Sequence, residues 1–272
     1  MIACTIAGSD SGGGAGIQAD LKTFQELEVF GTSVITALTA QNTLGVHGIF
    51  QTPASFVQAQ LKAVLDDFDV KAMKTGMLFD AAIIEGVVDV VKELNIPLIV
   101  DPVMIAKGGA SLLQQQAVEA MREHLLPIAT ICTPNIPEAE VLTGRTIQSQ
   151  QHIEQVANEL LALGVKYVVI KGGHLQGAFA ADAVYWKDGY FSVTTPRVET
   201  KDTHGTGCTF SAAITALIAK GYSVKEAIIE AKKFIHLAIS NPLHIGNGHG
   251  PTNHFAYKRA AGNVEVDIHD SK

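Results

Sequence analysis

A chain of 272 residues, 47% hydrophobic and 17% charged, can bury a large core and is too apolar to stay disordered. Its formal net charge of −7 argues against a nucleic-acid or anionic-membrane surface. No apolar run approaches the ~18 residues of a membrane span, Met1–Ala7 lacks the basic start of a leader, and Cys4, Cys132 and Cys208 lie far apart in no metal-binding spacing, so a soluble cytoplasmic protein is expected.

Ile2–Ala7 reads as a first strand, followed by the glycine cluster Gly8–Gly16 and a helix over Ile17–Leu27 with Ile17, Leu21 and Phe24 inward. Ser33–Thr39 is rich in β-formers. Thr52 can cap a helix with Pro53 in its first turn and Phe56, Leu61 and Val64 on its inner side. Short apolar runs then alternate with helical patterns. Ala72–Thr75 precedes a helix near Ala81–Leu94, Leu98–Asp101 one near Gln115–Leu125, and Ile131–Thr133 a short one over Pro137–Thr143. A helix over Ile153–Leu163 leads to a strand over Tyr167–Lys171. Asp182–Lys187 and Tyr190–Thr195 form a hairpin turned at Asp188-Gly189. From about Gly207 a helix begins with Phe210, Ile214, Leu217 and Ile218 on one face, and Ser223 with Glu226 reads as a capping box for a last helix toward Ile239. The alternation predicts a mostly parallel sheet covered on both faces. No linker interrupts it, so residues 1–262 read as one domain and 263–272 as a polar tail.

In such sheets ligands bind beyond the carboxyl ends of the strands. Six post-strand segments there are polar or glycine-rich: Gly8–Gly16, Lys74–Met77, Asp101–Lys107, Thr133–Glu138, Lys171–His174 and Lys201–Cys208. The stretch K-D-T-H-G-T-G-C-T-F-S, Lys201–Ser211, is a glycine turn opening into a helix, which aims free N–H groups and the helix dipole at one spot. That suits a phosphoryl group; an ordinary helix start with a small buried cysteine is the plain alternative. Cys208 stands where a helix terminus would lower a thiol pKa. Gly8–Gly16 lacks the Walker ending and the dinucleotide register, and its glycines allow close approach to a ligand. Asp10 within it can accept from ligand donors. Asn135 and Glu138 can hold a hydrated Mg²⁺ or merely start a helix, Asp101 ends an apolar strand, and Lys171 puts a cation at another strand end.

The segments G-S-D-S-G-G-G-A-G-I-Q-A-D-L-K-T, V-I-T-A-L-T-A-Q-N-T, K-T-G-M-L, D-P-V-M, T-P-N-x-x-E-A, K-G-G-H and T-H-G-T-G-C resemble, as a set, the ribokinase-like superfamily, and within it the hydroxymethylpyrimidine/phosphomethylpyrimidine kinases of thiamine biosynthesis. The resemblance runs from about Ile2 to His254. It implies a three-layer α/β/α fold and ATP-dependent phosphorylation of 4-amino-5-hydroxymethyl-2-methylpyrimidine and of its monophosphate. Carried over position by position, it implies that Gln41 meets the aminopyrimidine edge and that Gly8, Asp10 and Met77 complete the substrate pocket. Lys171, Asn135 and Thr206 would meet ATP, and Asn135, Glu138 and Asp101 would organise Mg²⁺. Gly205, Thr206 and Gly207 would form the anion hole, with Cys208 as the base. A monovalent cation and a homodimer also belong to these expectations. Gly12 replaces a usual serine without touching a catalytic group. The related bacterial pyridoxal kinases tend to carry a lid cysteine near Ala106-Lys107, lack T-A-Q-N and have G-A-G-C; on each point this chain sides with the pyrimidine kinases, although side activity on vitamin B6 forms stays open.

Overall fold

The computed structural model describes residues 1–104, 115–172, 177–260 and 264–270. Among the described residues ten strands form one sheet: β1 (Ile2–Asp10), β2 (Phe30–Asn42), β3 (Gly45–Gln51), β4 (Val70–Thr75), β5 (Leu98–Val100), β6 (Ile131–Cys132), β7 (Tyr167–Ile170), β8 (Phe179–Trp186), β9 (Gly189–Pro196) and β10 (Asp267–Asp270). Their order is β10-β9-β8-β7-β6-β5-β4-β1-β2-β3. The run from β7 to β2 is parallel; β3 on one edge and β8, β9 and β10 on the other pair antiparallel. The helices are α1 (Gly16–Glu26), α2 (Ala54–Asp67), α3 (Ala81–Val91), α4 (Gln115–Ala120), α5 (Ile136–Thr143), α6 (Gln150–Ala162), α7 (Thr206–Ala219), α8 (Val224–Ser240) and α9 (Ala256–Ala260). The sheet lies between two helical layers, as the ribokinase-like expectation requires.

Successive strand residues feed opposite layers. On β5, Leu98 and Val100 pack with Leu61, Ile83 and Val156 from α2, α3 and α6, whereas Ile99 packs with Phe24, Ile214 and Phe234 from α1, α7 and α8. Such two-sided burial is why these strands read as continuous apolar runs. Among the described residues no helix is long and apolar enough to cross a membrane.

Several local expectations shift. Pro53 is itself the residue before α2 and no side chain caps that helix; its inner face uses Val57, while Phe56 is exposed. The helix after Gln115 turns π-helical over Met121–Leu125. The hairpin closes one residue early, with Trp186 paired to Gly189. Residues 267–270 of the expected tail add an edge strand against β9. The Ser223–Glu226 capping box opens α8 as read.

Candidate active site

β1 pairs with β2 on one side and β4 on the other, so strand order reverses there, and a cleft opens at such a point. The cleft is a cavity of about 760 Å³. All six segments singled out above line it within the described residues; Lys107, Gly173 and His174 lie outside them.

The glycine loop is built on one carboxylate. Asp10 accepts from the backbone N–H of Gly12 (2.8 Å), Gly14 (3.0 Å) and Ala15 (2.9 Å), and its Oδ2 lies 2.9 Å from His204 Nε2. Burial raises its pKa, but the His204 contact and the loop amides outweigh burial and hold it below the ordinary carboxylate range. Asp10 lines the cleft, and its oxygens also shape the loop. Ser11 ties this loop to β2, its Oγ donating to the Gln41 carbonyl (2.9 Å) and accepting from the Gln41 N–H (2.8 Å).

α7 begins at Gly205, which has φ +83° and no side-chain cap. The opening N–H groups of a helix have no intrahelical partner; that of Thr206 reaches the Thr203 carbonyl (3.3 Å), and Thr206, Gly207 and Cys208 line the cleft. Thr206 donates its hydroxyl to the Thr203 carbonyl (2.7 Å), which tightens the turn. A Cβ on Gly207 would sit 3.3 Å from Lys171 Nζ and 3.5 Å from Asp101 Oδ2, so its bare Cα leaves the space between turn and lysine open. Lys171 Nζ lies 3.0 Å from Asp101 Oδ1 and 3.8 Å from Glu138 Oε2. Despite burial, these two carboxylates push its pKa further up, so it stays charged.

Asn135 and Glu138 form a reciprocal capping box on α5: Asn135 Oδ1 accepts from the Glu138 N–H (2.9 Å) and Glu138 Oε2 from the Asn135 N–H (2.8 Å). Burial first, with Asp101 adding and Lys171 opposing, raises Glu138 to about 7. Asp101 lies beside them as the counter-charge of Lys171, and its oxygens also accept from Thr133 (3.3 Å) and Ser211 (3.3 Å). The expected low pKa of Cys208 is corrected. Burial pushes the thiol up to about 12, against the opposing pull of Lys74 and the Gly16 N–H.

Gln41, Val46, Met77 and Gly8 also line the cleft, with Gln41 beside His204 just before the start of α7. A Cβ on Gly8 would come 2.5 Å from Met77 Cε, so the glycine makes room for the methionine. Residues 10–253 match the phosphomethylpyrimidine kinase family. The chain belongs to that family. It is 57% identical over 260 residues to a hydroxymethylpyrimidine/phosphomethylpyrimidine kinase of Haemophilus influenzae, covering 94% of this chain and 97% of the relative. It superposes on a Staphylococcus aureus pyridoxal kinase solved with AMP-PCP and pyridoxal (TM-score 0.91, 37% identity, 99% of this chain and 98% of that one). A Clostridium difficile phosphomethylpyrimidine kinase aligns at TM-score 0.78 with 44% identity, covering 88% of this chain and 99% of that one.

The residues carried over from the phosphomethylpyrimidine kinase pattern thus converge on one cleft. Sequence reasoning missed three features of it. His204 was quoted in a motif without a role, yet it contacts both Asp10 and the Gln41 side chain. Lys74 and Asp20 make a fully buried pair (2.8 Å), with Thr5 Oγ1 donating to Asp20 Oδ2 (2.6 Å). That pair was readable: Asp20 sits three residues after Ile17 on the inner face of α1, and Lys74 interrupts an otherwise apolar strand. Asp182 and Lys232 form a third buried pair (2.7 Å) at the cleft's other end, where Asp182 also accepts from the Gly172 N–H (3.0 Å).

Proposed function

We propose that this cleft transfers the γ-phosphoryl group of ATP to the hydroxymethyl oxygen of 4-amino-5-hydroxymethyl-2-methylpyrimidine, and then phosphorylates the monophosphate to the diphosphate used in thiamine biosynthesis. The observation that carries the reading is the uncapped, glycine-opened start of α7, which lies against Lys171 in a cleft that Gln41 also lines. The hydroxymethyl oxygen attacks the γ-phosphorus, the bond to the bridging oxygen breaks, and ADP leaves with its electron pair. The N–H groups of the Gly205–Gly207 turn and the Lys171 ammonium balance the charge on the group in transfer. Gln41 offers an amide donor and acceptor to the aminopyrimidine edge. Cys208 lies where the hydroxyl proton departs; with its thiol pushed up to about 12, positioning and charge neutralisation carry more of the rate than a thiolate base.

Mg²⁺ fits the acidic end of the cleft. Buried Glu138, held at about 7 beside Asp101, sits where added positive charge is favourable, and Mg²⁺ needs only one or two carboxylates besides phosphates and water. Glu138 would hold it, and the ion would neutralise phosphate charge. A monovalent cation fits Asp202. Both of its oxygens are buried without a hydrogen bond, and His244 Nδ1 lies 3.0 Å from one of them without hydrogen-bond alignment. A homodimer is supported by Leu38, Leu44, Ile49 and Phe50, exposed on the edge formed by β2 and β3, and a reducing cytoplasm by three free cysteines.

The likeness to a pyridoxal kinase favours a second reading, vitamin B6 phosphorylation by the same residues. A side-by-side assay with ATP and Mg²⁺, following product mass, separates the two. Conversion of the pyrimidine monophosphate to the diphosphate supports the first. Phosphorylated pyridoxal with an inert monophosphate overturns it.

A further inference from the structure

The Gln41 side chain is held at both ends. Its Oε1 lies 3.1 Å from Thr39 Oγ1, and Thr39 Oγ1 lies 2.8 Å from the Ser9 carbonyl. Its Nε2 lies 3.3 Å from His204 Nε2, which in turn lies 2.9 Å from Asp10 Oδ2. Proton accounting decides how these groups bond. A carboxylate only accepts, so the hydrogen on His204 Nε2 points at Asp10, and that nitrogen keeps no lone pair for an amide N–H. Thr39 has a single hydroxyl hydrogen, which the Ser9 carbonyl takes because it too can only accept. With the amide nitrogen toward His204, two donors face each other and the Gln41 oxygen receives nothing from Thr39.

Turning the amide end over end repairs both faults. The oxygen then shares the His204 N–H, and the NH₂ group donates to the free lone pair of Thr39. Amide nitrogen and oxygen are told apart only by such partners. The Gln41 backbone is pinned by Ser11, so the end-over-end choice is the freedom that remains.

We infer that His204, anchored by Asp10, is a positioning residue for substrate recognition: it draws the carbonyl end of Gln41 toward itself and leaves one N–H and one carbonyl lone pair facing the cleft in fixed order. A ring edge that matches carries an acceptor nitrogen beside an exocyclic amino group, with the amino group on the His204 side. This rests on the reading of Gln41 as the residue that meets the ring. It adds that specificity for an aminopyrimidine is set jointly by Asp10, His204 and Thr39, none of which need touch the ring.

The test is isothermal titration of 4-amino-5-hydroxymethyl-2-methylpyrimidine and of its analogue lacking the amino group. The proteins are the wild type, His204→Phe, His204→Gln and Gln41→Met. The wild type should prefer the amino compound by at least about tenfold, the worth of a buried polar pair left unmade. In His204→Phe the preference should fall to within about twofold, chiefly through weaker binding of the amino compound. His204→Gln, which restores an N–H toward Asp10, should recover most of it. Where the phenylalanine variant does not melt cooperatively, His204→Asn, too short to span Asp10 and Gln41, makes the same comparison. Retention of the preference without the histidine donor, or equal weakening of both compounds, overturns the inference. Gln41→Met separates the two levels: if it keeps the preference, the reading of Gln41 fails; if it loses it while His204→Phe keeps it, the role of His204 alone fails.

Discussion

Gly205→Ala tests whether the contact between the glycine loop and the start of α7 sets the geometry of transfer. Gly205 has φ +83°, where an L-residue costs about 1–2 kcal/mol. Its new Cβ would also land 1.8 Å from the Gly14 carbonyl oxygen, against the 3.0 Å that real Cβ contacts keep. The obstacle is backbone, so the loop or the helix start must move by roughly an ångström. Gly221, just past the other end of α7, is the control: φ is +90° and a Cβ there meets nothing within 4 Å. Gly221→Ala should lower stability by about 1–2 kcal/mol, a few degrees of melting temperature in a chain of this size, and leave kcat within about twofold. Gly205→Ala should melt lower still and lose about 100-fold in kcat, the usual effect of misplacing reacting groups by an ångström. Thermal melting and product-mass kinetics on the two variants measure both quantities. A kcat for Gly205→Ala within about threefold of that for Gly221→Ala would show that the loop-to-helix contact does not set the transfer geometry.

Gln41→Met should raise KM for the aminopyrimidine at least about tenfold while changing KM for pyridoxal little; equal losses would remove Gln41 from specificity. Lys74→Met strips buried Asp20 of its counter-charge and should cost about 3–5 kcal/mol by denaturant unfolding, whereas Lys74→Met with Asp20→Leu should recover most of that; a double variant no more stable than the single would count against the pair. His254 is held down to about 4 by burial, with Lys22 adding to it. Between pH 6.5 and 4 the unfolded chain therefore takes up a proton that the folded chain refuses, and stability falls as pH falls, by on the order of 3 kcal/mol from this group. His254→Gln, able to keep the bond to Thr209 (3.0 Å in the wild type), should flatten that part of the melting-temperature profile. Alkylation of Cys208 by iodoacetamide, followed by peptide mass in the ligand-free protein, should be slow at pH 7 and still rising above pH 9; a plateau below pH 8 would contradict the buried, raised thiol.

The parallel core of the fold was legible because its strands are buried on both faces and its helices carry one apolar side. Leu98–Val100 and the α8 capping box needed no tertiary information. The edges were not. β3 is exposed almost throughout and carries no inward-outward alternation, and β10 is fully exposed. Each is a strand because a neighbour offers backbone partners, a fact the local sequence does not encode. Phe56 and Val57 show a related failure: an apolar pair leaves the helix phase ambiguous by one residue until Pro53 is known to precede the first turn. At the site, the motif residues were legible and their bonds were not. That Asp10 holds its own loop follows only from the loop's folded path, which brings three N–H groups to its oxygens.

Cys208 shows how magnitude settles a site when two effects oppose. A helix N-terminus contributes up to ~2 kcal/mol to a nearby anion, little more than one pKa unit. Removing a thiolate from water costs several units. Here burial wins even with Lys74 and the Gly16 N–H assisting the helix. Lys74 cannot do more, because Asp20 already draws its charge at 2.8 Å. An incoming triphosphate adds negative charge beside the turn and moves the thiol further from ionisation. The feature of the turn that survives is its backbone: N–H groups carry no titration, need no activation and are already aimed. On the proposed function, the two glycines flanking Thr206, rather than the sulfur after them, are then the part of T-H-G-T-G-C on which phosphoryl transfer would depend most.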